Sequence, residues 1–251
     1  MKNGILKVAV MVALIVGLFS SVLMADVYMK QKSTSSGFQM MGHSQPGEEK
    51  ITEMWITKDK IASISPTETS IMYADENKIV FIDHTKKTWA EMVLNQDAIS
   101  DQMGGKDMDD EDKAAFNQMM QGMSDIKITI TPTSETKKIG QWMCKKYIQS
   151  VEMFTGPMTS EIWATESLQL DHDLYNKFMT SMFAKMPGMQ KSMGKFAEEM
   201  KKIKGVAVLT TMKNTIMGNE MTSTTELIEF KNGTAPASVF QIPSGYKKIK
   251  M

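Results

Sequence analysis

Met179, Met182, Met186, Met189, Met193, Phe196 and Met200 stand at alternating steps of three and four in KFMTSMFAKMPGMQKSMGKFAEEM, residues 177–200. A thioether is a soft, uncharged donor, and two chemistries follow. Met-x-x-Met pairs such as Met179/Met182 and Met186/Met189 put two sulfurs on one helical face, a donor set that suits Cu(I). The same row is also an unbranched, polarizable apolar surface that adapts to greasy partners. No His or Cys lies near it in sequence to complete a copper site.

At about 100° per residue these positions project within an arc of roughly 100°. Lys177, Lys185, Lys191, Lys195, Glu198 and Glu199 lie elsewhere around the wheel. Burying a Met side chain is worth about 1.5–3 kcal/mol, so six left in water would forgo roughly 9–18 kcal/mol gross. The row must cover something apolar. It is either packed core or the wall of a cavity that takes an apolar ligand. Met119, Met120 and Met123 add a similar face in a second segment. The candidate ligand-binding residues are therefore the seven above together with Met119 and Met123. Pro187-Gly188 interrupts the row, and proline removes a backbone donor, so the helix should kink or stop there.

Other chemistry is hard to find. His43, His84 and His172 are scattered, and no G-x-S-x-G, P-loop, Gly-rich dinucleotide loop or H-E-x-x-H occurs. Asp171-His172-Asp173 reads as a helix start. Asp107 to Asp112 fails the calcium-loop template, with Asp112 at the sixth position and Gln118 at the twelfth. No catalytic residue, no metal site and no cofactor is expected, which makes this a binding protein and not an enzyme. Lys+Arg and Asp+Glu both number 29, and every basic residue is Lys. A near-neutral chain gives no reason to expect nucleic acid, and the guanidinium fork that clamps phosphates is missing. Cys144 is the only cysteine, so no disulfide forms within the chain. WMCKKY around it reads as a strand that buries the thiol.

The elements that must position the methionines come mostly as strands. DVYMKQK (26–32), KITEMWITKD (50–59), SIMYAD (70–75), KIVFID (78–83) and KTWAEMVL (87–94) are rich in β-branched and aromatic residues, with turn chemistry between them. Short connections predict an antiparallel meander. Strands resume at 125–133, 137–154 and 158–167, and a hairpin spans 205–215 and 220–230. All four Trp residues (Trp55, Trp89, Trp142, Trp163) fall in these strands. Helices are predicted over about 110–122 and 171–203. Nine or ten strands with two helical inserts describe an α+β fold, a curved antiparallel sheet with helices gathered over its concave face.

The chain begins MKNGILKVAVMVALIVGLFSSVLMAD. Lys2 and Lys7, a short apolar stretch and then Ala25 have the order of a cleaved secretory leader. The stretch is short for a membrane span, which needs about 20 residues. Residues 1–25 are expected as leader and 26–251 as one domain. The expected location is the periplasm, or outside the cell where the host has no outer membrane.

Three stretches together resemble a known family. KIVFIDHTKKTWAEM resembles its hairpin with Lys-Lys-Thr-aromatic. KKIGQWMCKKYIQSVEM followed by SEIWATESLQL resembles its Gly-x-x-Cys-x-x-Tyr strand and Trp-bearing partner. ASVFQIPSGYKKIKM resembles its closing Phe-x-Ile-Pro-x-Gly-Tyr segment. The family is an exported bacterial one, domain of unknown function 4412, similar in turn to the wider group with the LolA-like outer-membrane lipoprotein carrier fold. The resemblance implies a half-open sheet closed by helices around a cavity, which in the characterised carriers holds acyl chains. It implies a carrier of lipid or a lipoprotein acyl chain, with transient contacts to the envelope membrane or to lipoproteins. This chain departs from the carriers in having no arginine. A Met-rich Cu(I)-binding protein and a structural envelope component are the alternatives.

Overall fold

The computed structural model describes residues 26–40, 43–93, 127–153, 156–168, 189–216 and 219–250. Fourteen strands are found there, and twelve of them form one sheet. β1 (Asp26–Ser35) comes first. β2 (Phe38–Met40) and β3 (His43–Gln45) pair only with each other. β4 (Glu48–Ile56), β5 (Lys60–Ile64), β6 (Glu68–Tyr73), β7 (Lys78–Asp83) and β8 (Thr88–Val93) follow as an antiparallel meander. β9 (Lys127–Ile139), β10 (Trp142–Met153), β11 (Gly156–Thr165), β12 (Val206–Ile216) and β13 (Asn219–Gly233) form a second meander. β1 lies between β4 and β13 and joins the two. β14 (Lys247–Lys248) adds a short parallel edge to β8.

The predicted α+β class is overturned. Among the described residues there is one α-helix, α1 (Met189–Met200), and one 3-10 turn (Ala237–Phe240), against strands almost everywhere else. No layer of helices covers a face of the sheet among those residues. The physical reason is that the strands need little helical cover. The first meander packs Ala62, Ile71, Val80 and Ile82 under Val239, Phe240, Ile242 and Tyr246 of the C-terminal segment. The 3-10 turn and the chain that follows it cover that face without an α-helix. The predicted helix at 110–122, and the second helix before Met189, lie outside the described residues.

Most predicted strands appear with small shifts in their ends. KIASI, now β5, lies between two predicted strands and was not itself predicted. It is five residues long and changes the sheet's order, since β4 and β6 each pair with it. Irregularities interrupt the register in three places: between Lys30 and Gln31 of β1 against β13, between Trp163 and Ala164 of β11 against β12, and between Lys145 and Tyr147 of β10 against β9. Extra residues of this kind raise local twist and bend a strand. Open twisted sheets rarely exceed about ten strands without coiling, so bends are what a sheet this wide requires.

Two motifs read separately in the sequence meet in the fold. His84, on the hairpin after β7, accepts or donates at both ring nitrogens, with the Thr69 hydroxyl at 2.8 Å and the Tyr246 hydroxyl at 3.1 Å. The His84 and Tyr246 rings stand edge to face at 5.8 Å. The Tyr73 hydroxyl donates to the Phe240 carbonyl at 3.1 Å. The closing segment is thereby tied to the first meander at both its ends.

Candidate functional site

Successive strand residues point to opposite faces, so the pairings decide which side chains share one. Val27, Ile56, Ile61, Met72, Ile79 and Met92 are linked pair by pair from β1 to β8. They form one unbroken apolar rung across six strands. The next rung on the same face runs Met29, Met54, Ser63, Ser70, Phe81 and Ala90, and Phe230 of β13 stands beside Met29. One step further the face turns polar, with Gln31 opposite Thr52 on one side and Glu68, Asp83 and Thr88 in line on the other. The face thus grades from apolar to polar over three rungs.

Val27, Met29, Ile56 and Ile61 are buried, while Met54, Met72, Ile79 and Met92 are half-buried against them. Four thioethers therefore reach this face from four strands. None of these strand methionines was singled out in the sequence. A signal existed in the alternation of each strand, as in Val27/Met29 and Met54/Ile56. Which strands those faces meet depends on pairing, and a single strand does not carry that information.

The predicted row is divided by the structure. Met179, Met182, Met186, Met119 and Met123 lie outside the described residues. Met189 and Met193 belong to α1, and their side chains are likewise outside the description. Phe196 is half-buried. Met200 packs on the cluster of Ile130, Tyr147, Ile162, Ala164 and Ile203. Register carries Ile162 through Thr210, Thr225 and Ser33 to Lys50, so this cluster lies on the same face as Met29. The structure thus places Met200 on the same face as Met29, at the β9–β11 end and away from the methionines of the first meander. α1 is fixed there by Glu199, whose carboxylate accepts the Ile130 N–H at 2.6 Å. The Lys202 ammonium first, and that N–H second, hold Glu199 below its ordinary range. Lys204 N–H donates to the Tyr147 hydroxyl at 3.2 Å.

A cleft of about 450 Å³ opens over the other end of the face, on β4 to β8. Ser63, Ser70 and Phe81 of the middle rung line it, and Thr52 and Thr88 of the polar rung adjoin them. Four charged residues border it, and each is matched. Lys50 pairs with Glu68, and Lys86 Nζ lies 3.3 Å from Asp83. Asp83 also accepts the Thr85 hydroxyl at 2.5 Å and the backbone N–H groups of Thr85 and Lys86 at 2.9 Å. The Thr85 hydroxyl is the leading cause that holds Asp83 well below the usual carboxylate range. This carboxylate is committed to its own hairpin.

Cys144 is 2% exposed, and burial pushes its thiol up. It is the buried strand cysteine expected from WMCKKY. Among the described residues, no three of His, Cys, Asp and Glu gather closely enough to hold a metal ion.

No protein-family profile matches the chain, and no curated protein matches it. A solved structure with some likeness is a domain described as an outer membrane lipoprotein-sorting protein from Vibrio parahaemolyticus. The identity is 6% and the TM-score 0.31, over 86% of this chain and 89% of that one. A likeness of that size carries no argument about fold or function.

Proposed function

We propose that this protein is an exported, non-enzymatic carrier that holds an apolar ligand, such as a lipid or an acyl chain, against the Met29 face of its sheet. The observation that carries the reading is the rung from Val27 to Met92, with Met54 beside it. Half-buried thioethers are adaptable apolar contacts that suit chains of varied shape. A hydrocarbon laid across β6 to β8 would meet the half-buried Met72, Ile79 and Met92, backed by the buried Val27, Ile56 and Ile61. In this reading Met179, Met182, Met186, Met189, Met193, Phe196 and Met200, with Met119 and Met123, supply the opposing wall. Met200 supports that role, because it packs on the same face. In this reading residues 1–25 are the leader and residues 26–251 act as one domain. The periplasm follows from the leader, or the exterior where there is no outer membrane.

The test is extraction of lipid from protein purified out of its own host, together with titration of the neutral apolar probe N-phenyl-1-naphthylamine. Bound lipid, or saturable probe binding weakened at least tenfold by Met72→Asp, is expected. Ligand-free protein that also fails to bind the probe would sink the reading.

A further inference from the structure

The cleft over β4 to β8 does not match a ligand that is hydrocarbon throughout. It starts where the apolar rung stops, and its lining changes to hydroxyls within one step of the register. The hydroxyls of Thr52, Ser63, Ser70 and Thr88 make no hydrogen bond to any described residue. Other hydroxyls nearby are engaged. Ser65 bonds the backbone of Glu68, Thr69 bonds His84, and Thr85 bonds Asp83. The four free groups can each donate and accept. Phe81, half-buried between Ser70 and Ala90 on its rung, gives the cleft an aromatic floor.

Charge decides the class of group this cleft would take. Each of its two ammonium groups already faces a carboxylate. An anionic head would have to break one of those pairs to gain a cation, and a cationic head would have to do the same for an anion. An uncharged, hydroxyl-rich head breaks neither. It exchanges hydrogen bonds with the free serine and threonine hydroxyls, and it lays its C–H surface on Phe81 by dispersion. About 450 Å³ falls within the roughly 300–1,000 Å³ usual for small-molecule sites.

We infer that this cleft is a head-group subsite for an amphiphile with an uncharged polyhydroxyl head, of the alkyl glycoside or glycolipid class. Its hydrocarbon chain runs over the neighbouring half-buried rung residues Met72, Ile79 and Met92. The inference rests on the carrier reading above and adds the identity of the ligand's polar end.

The experiment displaces N-phenyl-1-naphthylamine from the intact chain with decyl glucoside, decyl sulfate and decyltrimethylammonium, each below its micelle concentration. One hydrocarbon length with three heads isolates the head. Decyl glucoside is expected to act at a concentration at least tenfold lower than either charged amphiphile. Ser63→Val combined with Ser70→Val should cut that preference below threefold. Equal displacement by all three heads, or preference for a charged one, overturns the head-group subsite while the carrier reading stands. Free glucose that binds as tightly as decyl glucoside overturns it as well, because the cleft is then a plain saccharide site. Failure of the probe itself to bind removes the carrier reading. The wild-type series decides the matter even if the double variant does not fold.

Discussion

Gly205 stands where β12 begins, and its φ of +81° lies in the left-handed region that favours glycine. A Cβ there would sit 1.9 Å from the Thr165 carbonyl oxygen and 2.4 Å from its carbon. Both atoms belong to backbone at the end of β11, which pairs with β12 at Thr165 and Val206, so neither strand can yield without losing its register. Gly205→Ala combines a strained conformation, which alone costs about 1–3 kcal/mol, with a clash against fixed backbone. The expected loss exceeds about 3 kcal/mol, read as a drop in the urea midpoint with the slope unchanged. A loss under about 1 kcal/mol would mean that the β11–β12 junction relaxes freely. Nothing in GVAVLTT marks its first residue as special, since the close approach is to a carbonyl forty residues earlier in the chain. Serine and methionine at the candidate site are hidden for the same reason. Ser63 looks like a turn-forming residue in KIASISP, and Met72 like ordinary core in SIMYAD, until β5 and β6 are placed side by side.

At the scale of elements, local pattern and pairing separate cleanly. The hairpin of β7 and β8 was readable to within a residue, because alternation over KIVFID and KTWAEMV is bounded by the DHTKK turn. β5 was not, since Ile61, Ala62 and Ile64 offer too short an alternation beside Ser65-Pro66. The α1 region was readable as a helix with an apolar stripe, and Met200 does face the strands. Its second task was invisible. Among the described residues β9 is the outer strand of the sheet, and an unpaired edge invites another chain. Pro132 has no N–H to offer, and it shares its side of the ladder with Ile130, whose N–H is taken by Glu199. α1 thus closes part of an edge that strand sequence alone leaves open. Glu199→Ala frees the Ile130 donor while leaving the apolar docking of Met200 in place. The variant should shift toward dimers or larger species as concentration rises, followed by light scattering after size exclusion. A variant that stays monomeric at the concentrations where wild type does would show that Pro132 and the two lysines at 137 and 138 protect the edge without Glu199.

At the scale of the whole molecule, the two meanders touch in sequence order only through β1. It pairs with β4 just downstream and with β13 roughly two hundred residues away. Such non-local pairing commits the fold late, after loop-closure entropy has been met. The apolar rung starts on β1 and ends on β8, so it crosses that joining strand and the entire first meander. A ligand lying on its half-buried end, at Met72, Ile79 and Met92, meets a surface made by strand pairing, and the unfolded chain offers no such surface. Binding only to the folded state adds about 2.7 kcal/mol of stability at one hundred times the dissociation constant. In a chain of this size each kcal/mol moves the melting midpoint by about 2–4 °C. Saturation with decyl glucoside should therefore raise the midpoint by roughly 5–10 °C. Tryptophan fluorescence is a suitable probe, since Trp55 and Trp89 pack around the first meander. A midpoint that stays fixed while the same amphiphile displaces the apolar probe would mean that the unfolded chain binds it as well as the folded one does, which a site built by strand pairing does not allow.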